Sequence, residues 1–507
     1  MQKKKISQEP VYFWTAVFIY VLVGIYIMPF YKYQLNPDGV TFISVARKYL
    51  AGDFKNAVNG CWGPLFSWLL IPLLALKVYP TLAVKVLYFI VGFFAFPALR
   101  ALSYRFKMNE TARFALYFTA IPIFLAFAFL TITQDFLFVF WFMVYLSIVF
   151  DEKYGSMKWH GSLCGLLGAL SYLSKPYAFM FFTLHFFIVN LVCFLKNSGE
   201  ARKLVVKTYV TAMIVFVFIS SLWIYAIYNK YGEVAISTVT RLEWRSLGPA
   251  VRQENLMWTR GLFEPPNKTA ISVWEDFTGL CDLMPDWSPF SSVYNFKYFI
   301  SLIVKNTSDI IITYNRFTPL AFFIVLPCTF FAFFPFSRVL ERRELLPVIT
   351  FFIYPAGYFF CHIESRYLWP ITMLLLLMGA SLISKLTDRL KLSAAVKTAI
   401  IILFFITFIF TPVRNLIGRV NADRDIYFLS NQLSSIGLKG RIASDSNWVP
   451  SLYVCFHLNL QYIGQLRPGA GIRENEEALK KFNVDYLIQW RPDEKGNPMI
   501  FIKNLEK

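Results

Sequence analysis

The sequence predicts an all-α polytopic membrane protein of about eleven transmembrane helices, with a small C-terminal α/β domain outside the cytoplasm. Three observations lead to this fold class. Of the 507 residues, 57% are hydrophobic and only 16% are charged, whereas about a quarter of the residues in a soluble domain are charged. Long apolar runs such as FLFVFWFMVYLSIVF reach across most of a ~30 Å hydrocarbon core. Basic residues form short clusters between these runs, as expected for loops that orient helices in a bilayer.

Eleven apolar segments are predicted to cross the membrane. A cytoplasmic N-terminus places most of the basic clusters on the cytoplasmic side, including the one in the 196–207 loop. The apolar stretch 63–79 could itself be a span, but it would then invert every later loop, so we interpret it as a juxtamembrane or re-entrant helix. The predicted spans are 11–31, 83–103, 113–131, 136–150, 161–176, 177–195, 206–228, 317–336, 345–361, 367–384 and 395–412.

The chain is predicted to divide into a transmembrane module, 1–412, and a small extracytoplasmic domain, 413–507. The transmembrane module has two large outer loops, 32–82 with juxtamembrane helices and 229–316, which is rich in Trp and Pro. In the C-terminal part, four strand-like runs (RIASD, LQYIG, DYLIQW and MIFIKN) occur with two helix-like runs (VPSLYVCFHL and ENEEALKKF). This pattern is typical of a small α/β module.

The charges and the motifs exclude several classes of function. The net charge of +19 could suit nucleic acid, but its placement between apolar runs indicates membrane orientation instead. The seven Cys residues include no CxxC pair, and the sequence has no Gly-rich phosphate-binding motif. All acidic residues fall outside the spans or at their ends, whereas ion-coupled transporters usually keep a carboxylate at mid-membrane. Polar residues instead gather at the outer membrane surface.

Asp38 is the first candidate for chemistry at that surface. It follows the first span in the segment LNPDGVTFISVARKYLAGDF, which has the pattern of an amphipathic helix. Phe42, Val45, Ala46 and Tyr49 form its apolar face, with Arg47 and Lys48 opposite. The alternative is that Asp38 serves only as a helix cap or turn residue.

Asp135 is the second candidate carboxylate. It interrupts the apolar stretch 113–150, which is too long for one crossing, so it marks an outer turn between two spans. A short polar turn between two apolar helices has little room for a residue without a role. The alternative is a solvated turn residue.

Candidate cations and polar side chains lie at the outer ends of further helices. Lys85 opens the second span, and Lys175 lies in the outer turn SYLSKPYAFMF. The turn CHIESRYLWP supplies His362, Glu364, Arg366 and Tyr367. Any one cation could simply extend to the membrane interface, but together these residues converge on one side of the predicted bundle.

The order of these features resembles the GT-C superfamily of membrane glycosyltransferases, in particular the protein O-mannosyltransferase and lipid A aminoarabinose transferase branch. The matching segments are PDGVTFISVARKYLAGDF after the first span, ITQDF, SKPYA, ESRYLWP and the Lys85 segment TLAVKVLYFIVG. The sequence departs from the family at Gly39, where relatives often have Glu, and at Trp62-Gly63, where they have Lys-Pro. The WWDxG block of oligosaccharyltransferases is absent, so transfer of a whole glycan is not expected.

The resemblance implies a polyprenyl-phosphate sugar donor and inversion at the anomeric carbon. The roles follow from general chemistry, because an attacking hydroxyl needs a base and a leaving phosphate needs cations. Asp38 is the expected general base, and Asp135 an acceptor-orienting or metal-binding carboxylate. Lys85, Lys175 and Arg366 are the expected donor-phosphate ligands, with His362, Glu364 and Tyr367 contacting substrate. No cofactor is required, although a divalent cation at Asp38 and Asp135 is compatible with the chemistry.

The sequence therefore predicts transfer of a single hexosyl or pentosyl unit from a polyprenyl phosphate to an acceptor hydroxyl on the outer face. The acceptor could be a glycan, a lipid or a protein, and the expected location is a bacterial cytoplasmic membrane. Two alternatives remain open. One is a flippase or transporter of lipid-linked glycans, and the other is a polymerase or ligase of envelope glycans.

Overall fold

The computed structural model describes residues 8–155, 157, 159–251, 261–390, 392–492 and 498–505, and every statement below refers to these residues. Five of the basic residues that predict the orientation of the chain lie outside the described residues. They are Lys3, Lys4, Lys5, Lys158 and Lys391.

The described part of the chain is mostly helical, and its helices follow the predicted apolar segments. In chain order they are α1 Glu9–Ile27, α2 Pro37–Leu50, α3 Phe54–Ala57, α4 Pro64–Ala75, α5 Pro80–Ser103, α6 Glu110–Phe129, α7 Asp135–Val149, α8 Trp159–Ser174, α9 Tyr177–Lys196, α10 Gly199–Tyr231, α11 Val239–Ser246, α12 Val293–Phe317, α13 Ala321–Phe333, α14 Leu345–Ile353, α15 Trp369–Arg389, α16 Ala394–Gly418, α17 Arg424–Ser434, α18 Trp448–Leu458 and α19 Ile472–Lys481.

Seven of the described helices are long and apolar enough to cross a membrane, namely α1, α5, α6, α9, α10, α15 and α16. An eighth span results if α12 and α13, which meet at 104°, are counted as one broken span. The predicted spans 136–150, 161–176 and 345–361 correspond to the shorter helices α7, α8 and α14. The chain is therefore an integral membrane protein with the predicted all-α fold.

The sequence explains several helix ends. The side chain of Asn109 accepts a hydrogen bond from the backbone of Ala112 and caps α6, and Ser393 caps α16 in the same way. Helix α10 ends at Gly232, whose φ of 73° is a left-handed conformation that glycine adopts without steric cost. Pro355 follows α14 closely, and the chain continues there as a short 3-10 turn, Ala356–Phe360.

Helix α12 lies in the segment that the sequence analysis treated as part of an outer loop. Polar residues interrupt its apolar ones along the sequence. Two of the polar residues, Lys305 and Asp309, form an exposed ion pair at 2.7 Å. A hydropathy pattern therefore does not reveal it as a continuous apolar run. The loop 229–316 is consequently shorter than predicted, because about its last quarter is a helix that is separated from α13 by three residues.

The stretch 63–79 contains α4, which has twelve residues. At 1.5 Å per residue, it is about 18 Å long, too short to cross a ~30 Å hydrocarbon core. Helix α4 packs against α2 and α5. Helices α2 and α4 thus pack against each other and against α5, and their juxtamembrane position in an outer loop stays a prediction.

The C-terminal part contains a four-stranded sheet, with strands β1 Arg441–Ser444, β2 Gln461–Gln465, β3 Tyr486–Pro492 and β4 Pro498–Asn504. The strand order is β2-β1-β3-β4. Strand β1 is parallel to β2 and to β3, and β4 is antiparallel to β3. Each predicted strand-like run forms one of these strands, and the two predicted helix-like runs form α18 and α19. Helix α16 continues through Pro412 to Gly418, so the transmembrane part extends slightly beyond the predicted boundary at residue 412.

Hydrogen bonds hold the C-terminal part against the first outer loop. Tyr453 on α18 donates to the carbonyl of Leu35 at 3.2 Å, and the Leu35 amide donates to Asp423 at 2.9 Å. The guanidinium of Arg47 on α2 lies 5.0 Å from the ring centre of Phe456. The C-terminal part therefore contacts α2 near both of its ends, at Leu35 before the helix and at Arg47 in its last turn.

Candidate functional site

Asp38 lies in the first turn of α2, and its carboxylate bonds to residues that are distant in sequence. Its Oδ2 lies 2.5 Å from Nη1 of Arg366, and its Oδ1 accepts a hydrogen bond from the indole Nε1 of Trp274 at 3.1 Å. The N-cap position belongs to Asn36, whose side chain instead accepts from the backbone N–H of Ile132. The cap and turn alternatives thus do not account for the contacts of Asp38.

Asp135 begins α7 and is 2% exposed. Its Oδ1 lies 2.5 Å from Nζ of Lys175, and its Oδ2 accepts from the hydroxyl of Thr133 at 2.5 Å. The Nε atom of Arg366 lies 3.7 Å from the same Oδ2. Asp135 is therefore a buried, paired carboxylate, unlike a solvated turn residue.

Lys175 and Arg366 supply the positive charge of the site. Lys175 follows the end of α8, and its ammonium lies 4.0 Å from the ring centre of Tyr367. Arg366 lies in the 3-10 turn Ser365–Leu368, where its Nη2 donates to Glu364 Oε1 at 2.9 Å. The hydroxyl of Tyr367 donates to the same oxygen at 3.4 Å. The buried Nε of Arg366, which faces Asp135 Oδ2 at 3.7 Å, makes no hydrogen bond to the described residues.

The structure brings together six of the eight predicted site residues, and the other two lie apart. Lys85 is completely buried, and its ammonium donates to Gln34 Oε1 at 2.7 Å and to the carbonyl of Phe129 at 2.8 Å. The described residues place no carboxylate within ion-pair distance of Lys85. The side chain of His362 is exposed. The roles predicted for these two residues remain predictions.

The residues that connect α2 with the second outer loop were not predicted from the sequence. Lys48 was placed opposite the apolar face of α2, but it is 4% exposed and pairs with the equally buried Glu275. Ser44 donates to Glu275 Oε2 at 2.6 Å. Burial raises the pKa of the Glu275 carboxyl, and the Lys48 ammonium opposes this shift. The spacing of Asp38, Thr41, Ser44 and Lys48 was the available signal, because residues three or four apart share one helix face.

Steric constraints explain the two departures from the family pattern. A Cβ atom at Gly39 would lie 2.9 Å from Cβ of Ile132, in the outer turn that carries Asp135. A Cβ atom at Gly63 would lie 2.4 Å from the carbonyl oxygen of Ser174, next to Lys175. Both glycines therefore allow the first outer loop to approach the two turns of the site closely. The glutamate that relatives carry after the first Asp has no space in this arrangement.

The predicted divalent cation would bind where the protein's own side chains already supply positive charge. Arg366 and Lys175 lie beside Asp38 and Asp135, and they occupy the positions that a metal ion bound to these two carboxylates would need. The described residues contain no group of three or more His, Cys, Asp or Glu side chains arranged to hold a metal ion. A divalent cation at Asp38 and Asp135 stays a prediction.

No protein-family model and no curated protein matches the chain. Solved structures do resemble it. The apo oligosaccharyltransferase of Archaeoglobus fulgidus matches with a TM-score of 0.57 at 11% identity, over 96% of this chain and 74% of that one. Apo ArnT of Cupriavidus metallidurans matches with a TM-score of 0.56 at 14% identity, over 94% of this chain and 93% of that one. The same ArnT bound to undecaprenyl phosphate matches with a TM-score of 0.55 at 13% identity, over 92% and 88%.

These similarities define the class of fold. The chain shares its fold with the oligosaccharyltransferase and with ArnT, in agreement with the fold expected from the order of its motifs. The likeness to apo ArnT extends over nearly the whole of both chains.

Proposed function

We propose that the chain transfers a single hexosyl or pentosyl unit from a polyprenyl-phosphate donor to an acceptor hydroxyl at the extracytoplasmic surface of a bacterial cytoplasmic membrane, with inversion at the anomeric carbon. One observation carries the proposal: Arg366 contacts both Asp38 and Asp135 in a buried cluster that also contains Lys175. The shared fold with ArnT, which was solved with undecaprenyl phosphate bound, supports a lipid phosphate as the donor group.

The cluster contains the charges that both the attacking acceptor hydroxyl and the leaving phosphate would need in such a reaction. The acceptor hydroxyl loses a proton as it attacks, and Asp38 is the carboxylate that would accept it. The leaving lipid phosphate gains negative charge, which Arg366 and Lys175 would stabilise. Glu364 and Tyr367 line the same turn and would contact the sugar or acceptor. Inversion follows from one direct displacement, in which the acceptor oxygen replaces the phosphate oxygen at the anomeric carbon.

Without substrate, the cations and the carboxylates neutralise one another. A donor phosphate would compete with Asp38 for the planar guanidinium of Arg366, which matches the geometry of phosphate oxygens. Once Arg366 binds the phosphate, Oδ2 of Asp38 becomes available as a proton acceptor. Donor binding would thus activate the base, and this coupling would suppress proton transfer before the donor is in place.

The decisive experiment uses the purified full-length chain in lipid nanodiscs with radiolabelled polyprenyl-phosphate hexoses and pentoses. Release of free polyprenyl phosphate together with a singly glycosylated acceptor would support the proposal. Movement of intact donor across vesicles without its cleavage would instead indicate a flippase, and products of increasing length would indicate a polymerase or ligase. Either result would overturn the proposed function.

A further inference from the structure

One face of α2 is covered by the outer-loop segment 267–276. Four polar side chains on this face bond to that segment, and they are spaced three or four residues apart along α2. Asp38 accepts from Trp274 Nε1 at 3.1 Å, Thr41 donates to the Trp274 carbonyl at 3.3 Å, Ser44 donates to Glu275 at 2.6 Å, and Lys48 pairs with Glu275 and donates to Asn267 at 3.1 Å.

Two aromatic rings contact the indole ring of Trp274, which donates the hydrogen bond to Asp38. Its ring centre lies 4.8 Å from that of Phe277 and 5.6 Å from that of Trp448, at the start of α18 in the C-terminal part. Aromatic contacts at these distances restrict the orientation of a ring. The indole N–H can therefore direct a carboxylate as well as bond to it.

The buried pair of Lys48 and Glu275 fastens this arrangement almost three turns further along α2. Both side chains are less than 5% exposed, and Glu275 is adjacent to Trp274 in sequence. The backbone carbonyl of Glu275 also accepts from the side chain of Asn59 at 2.6 Å. The segment is thus attached to α2 at both ends of its contact, which leaves Trp274 little freedom to turn away from Asp38.

We propose that Trp274 is a positioning residue, whose indole N–H fixes the carboxylate of Asp38 so that Oδ2 faces the acceptor hydroxyl. This inference rests on the proposed function. Its physical basis is that the two oxygens of Asp38 have different partners, Oδ1 with Trp274 and Oδ2 with Arg366. When a phosphate takes over Arg366, the bond to Trp274 remains and prevents the freed carboxylate from rotating. A displacement of reacting groups by about 1 Å can reduce the rate roughly 100-fold.

The contact itself can be tested without an activity assay. In the full-length protein labelled with ¹⁵N at tryptophan, the indole signal of Trp274 is assigned by its disappearance in Trp274→Phe. We expect this signal to shift in Asp38→Asn, because the N–H then donates to a neutral amide or loses its acceptor. The indole signal of Trp287, which donates to the carbonyl of Trp244 at 2.6 Å in the same outer loop, should stay in place. An unmoved Trp274 signal would overturn the inference.

The role is tested by kinetics. Trp274→Phe retains an aromatic ring but removes the N–H, and we expect kcat to fall roughly 10- to 100-fold with donor affinity unchanged. Trp287→Phe is the matched control, because it removes an equivalent N–H without contacting Asp38, and it should keep wild-type kcat. If Trp274→Phe fails to fold, benzothienylalanine at position 274 provides the same indole shape without the N–H.

The outcomes separate the two proposals. Equal kcat for the Trp274 and Trp287 variants, with an active wild type, would overturn the positioning role and leave the proposed function intact. An inactive wild type would overturn the proposed function, and with it the positioning role.

Discussion

The Nη1 atom of Arg366 lies 2.5 Å from Oδ2 of Asp38, and this contact joins the turn before α15 to the first turn of α2. The same guanidinium approaches Asp135 at the start of α7, with Nε 3.7 Å from Oδ2. Three helix starts are therefore linked through one side chain. Such buried charges are stable only when paired, so an anionic ligand must compete with carboxylates for Arg366.

Arg366→Lys is expected to weaken donor binding about tenfold while the protein remains folded. A lysine keeps the positive charge but lacks the planar fork that binds two phosphate oxygens at once. Lys175→Ala and Lys85→Ala should weaken donor binding as well. The measurement is the equilibrium binding of a fluorescent polyprenyl phosphate to protein in nanodiscs. Arg389→Lys, an exposed arginine at the other end of α15, is the matched control and should bind normally.

Wild-type affinity in all three site variants would refute a phosphate-binding role for these cations. They would then serve only to neutralise Asp135 and to pair with neighbouring polar groups. In that case Lys175→Ala should still lower the thermal stability, because it leaves Asp135 buried without its closest cation.

The predicted orientation of the chain places Ser198 and Ser435 on opposite sides of the membrane, so only one of them should be accessible to a reagent outside the cell. Both side chains are exposed, at the start of α10 and after α17, respectively. Cysteine at position 435 should react with a membrane-impermeant maleimide from outside intact cells, and cysteine at position 198 only after permeabilisation. The seven native cysteines are first replaced so that they do not react. Equal labelling of both positions from outside would refute the predicted topology.

His457 on α18 predicts a loss of stability in mild acid. Burial lowers the pKa of its imidazole to about 4, and the nearby Arg47 shifts it in the same direction. Its ordinary pKa is 6.5, so between these values the unfolded chain binds a proton that the folded chain excludes. Stability contributed by neutral His457 is therefore present above about pH 6.5 and is lost as the pH falls toward 4.

The measurement for His457 is the Tm at pH 7 and at pH 5. Wild type should lose more Tm between these values than His457→Gln, which cannot take up the proton. Tyr79, whose hydroxyl lies 3.0 Å from Nδ1 of His457, can bond to either side chain. An identical pH dependence in the two proteins would contradict the prediction.

The predictions from sequence succeeded where the signal was local. Apolar runs and alternating strand patterns depend on neighbouring residues only, and they located the apolar helices and the four strands, although three predicted spans are short helices. Helix α12 was missed because polar residues interrupt its apolar ones along the sequence, so that no continuous apolar run marks it. The site was found in part, since the ends of helices mark where charged residues gather, but which charges meet depends on the fold. No local pattern in the sequence indicates that Trp274 donates a hydrogen bond to Asp38. No local pattern indicates either that Lys85 bonds to Gln34 and not to a carboxylate.

The sharpest test of the catalytic proposal is Asp38→Asn, which should abolish transfer and leave donor binding intact. Asparagine has nearly the size of aspartate and can still accept from Trp274, so the substitution removes charge and basicity but little shape. Arg366 keeps its hydrogen bond to Glu364 at 2.9 Å, and the loss of Asp38 as a competitor should leave donor affinity equal or higher.

The expected sizes of the effects separate the possible roles of Asp38. If Asp38 is the general base, the rate should fall about 10²- to 10⁴-fold. If Asp38 only stabilises the start of α2, the free energy of unfolding should drop by about 1 kcal/mol with the rate retained. Asp53→Asn is the matched control, because Asp53 lies in the same outer loop, caps α3 and accepts a hydrogen bond from Thr269, but it makes no hydrogen bond to Asp38, Arg366 or Trp274. A rate within a few-fold of wild type for Asp38→Asn would make Asp135 the leading candidate for the base, since it is the other carboxylate that Arg366 approaches.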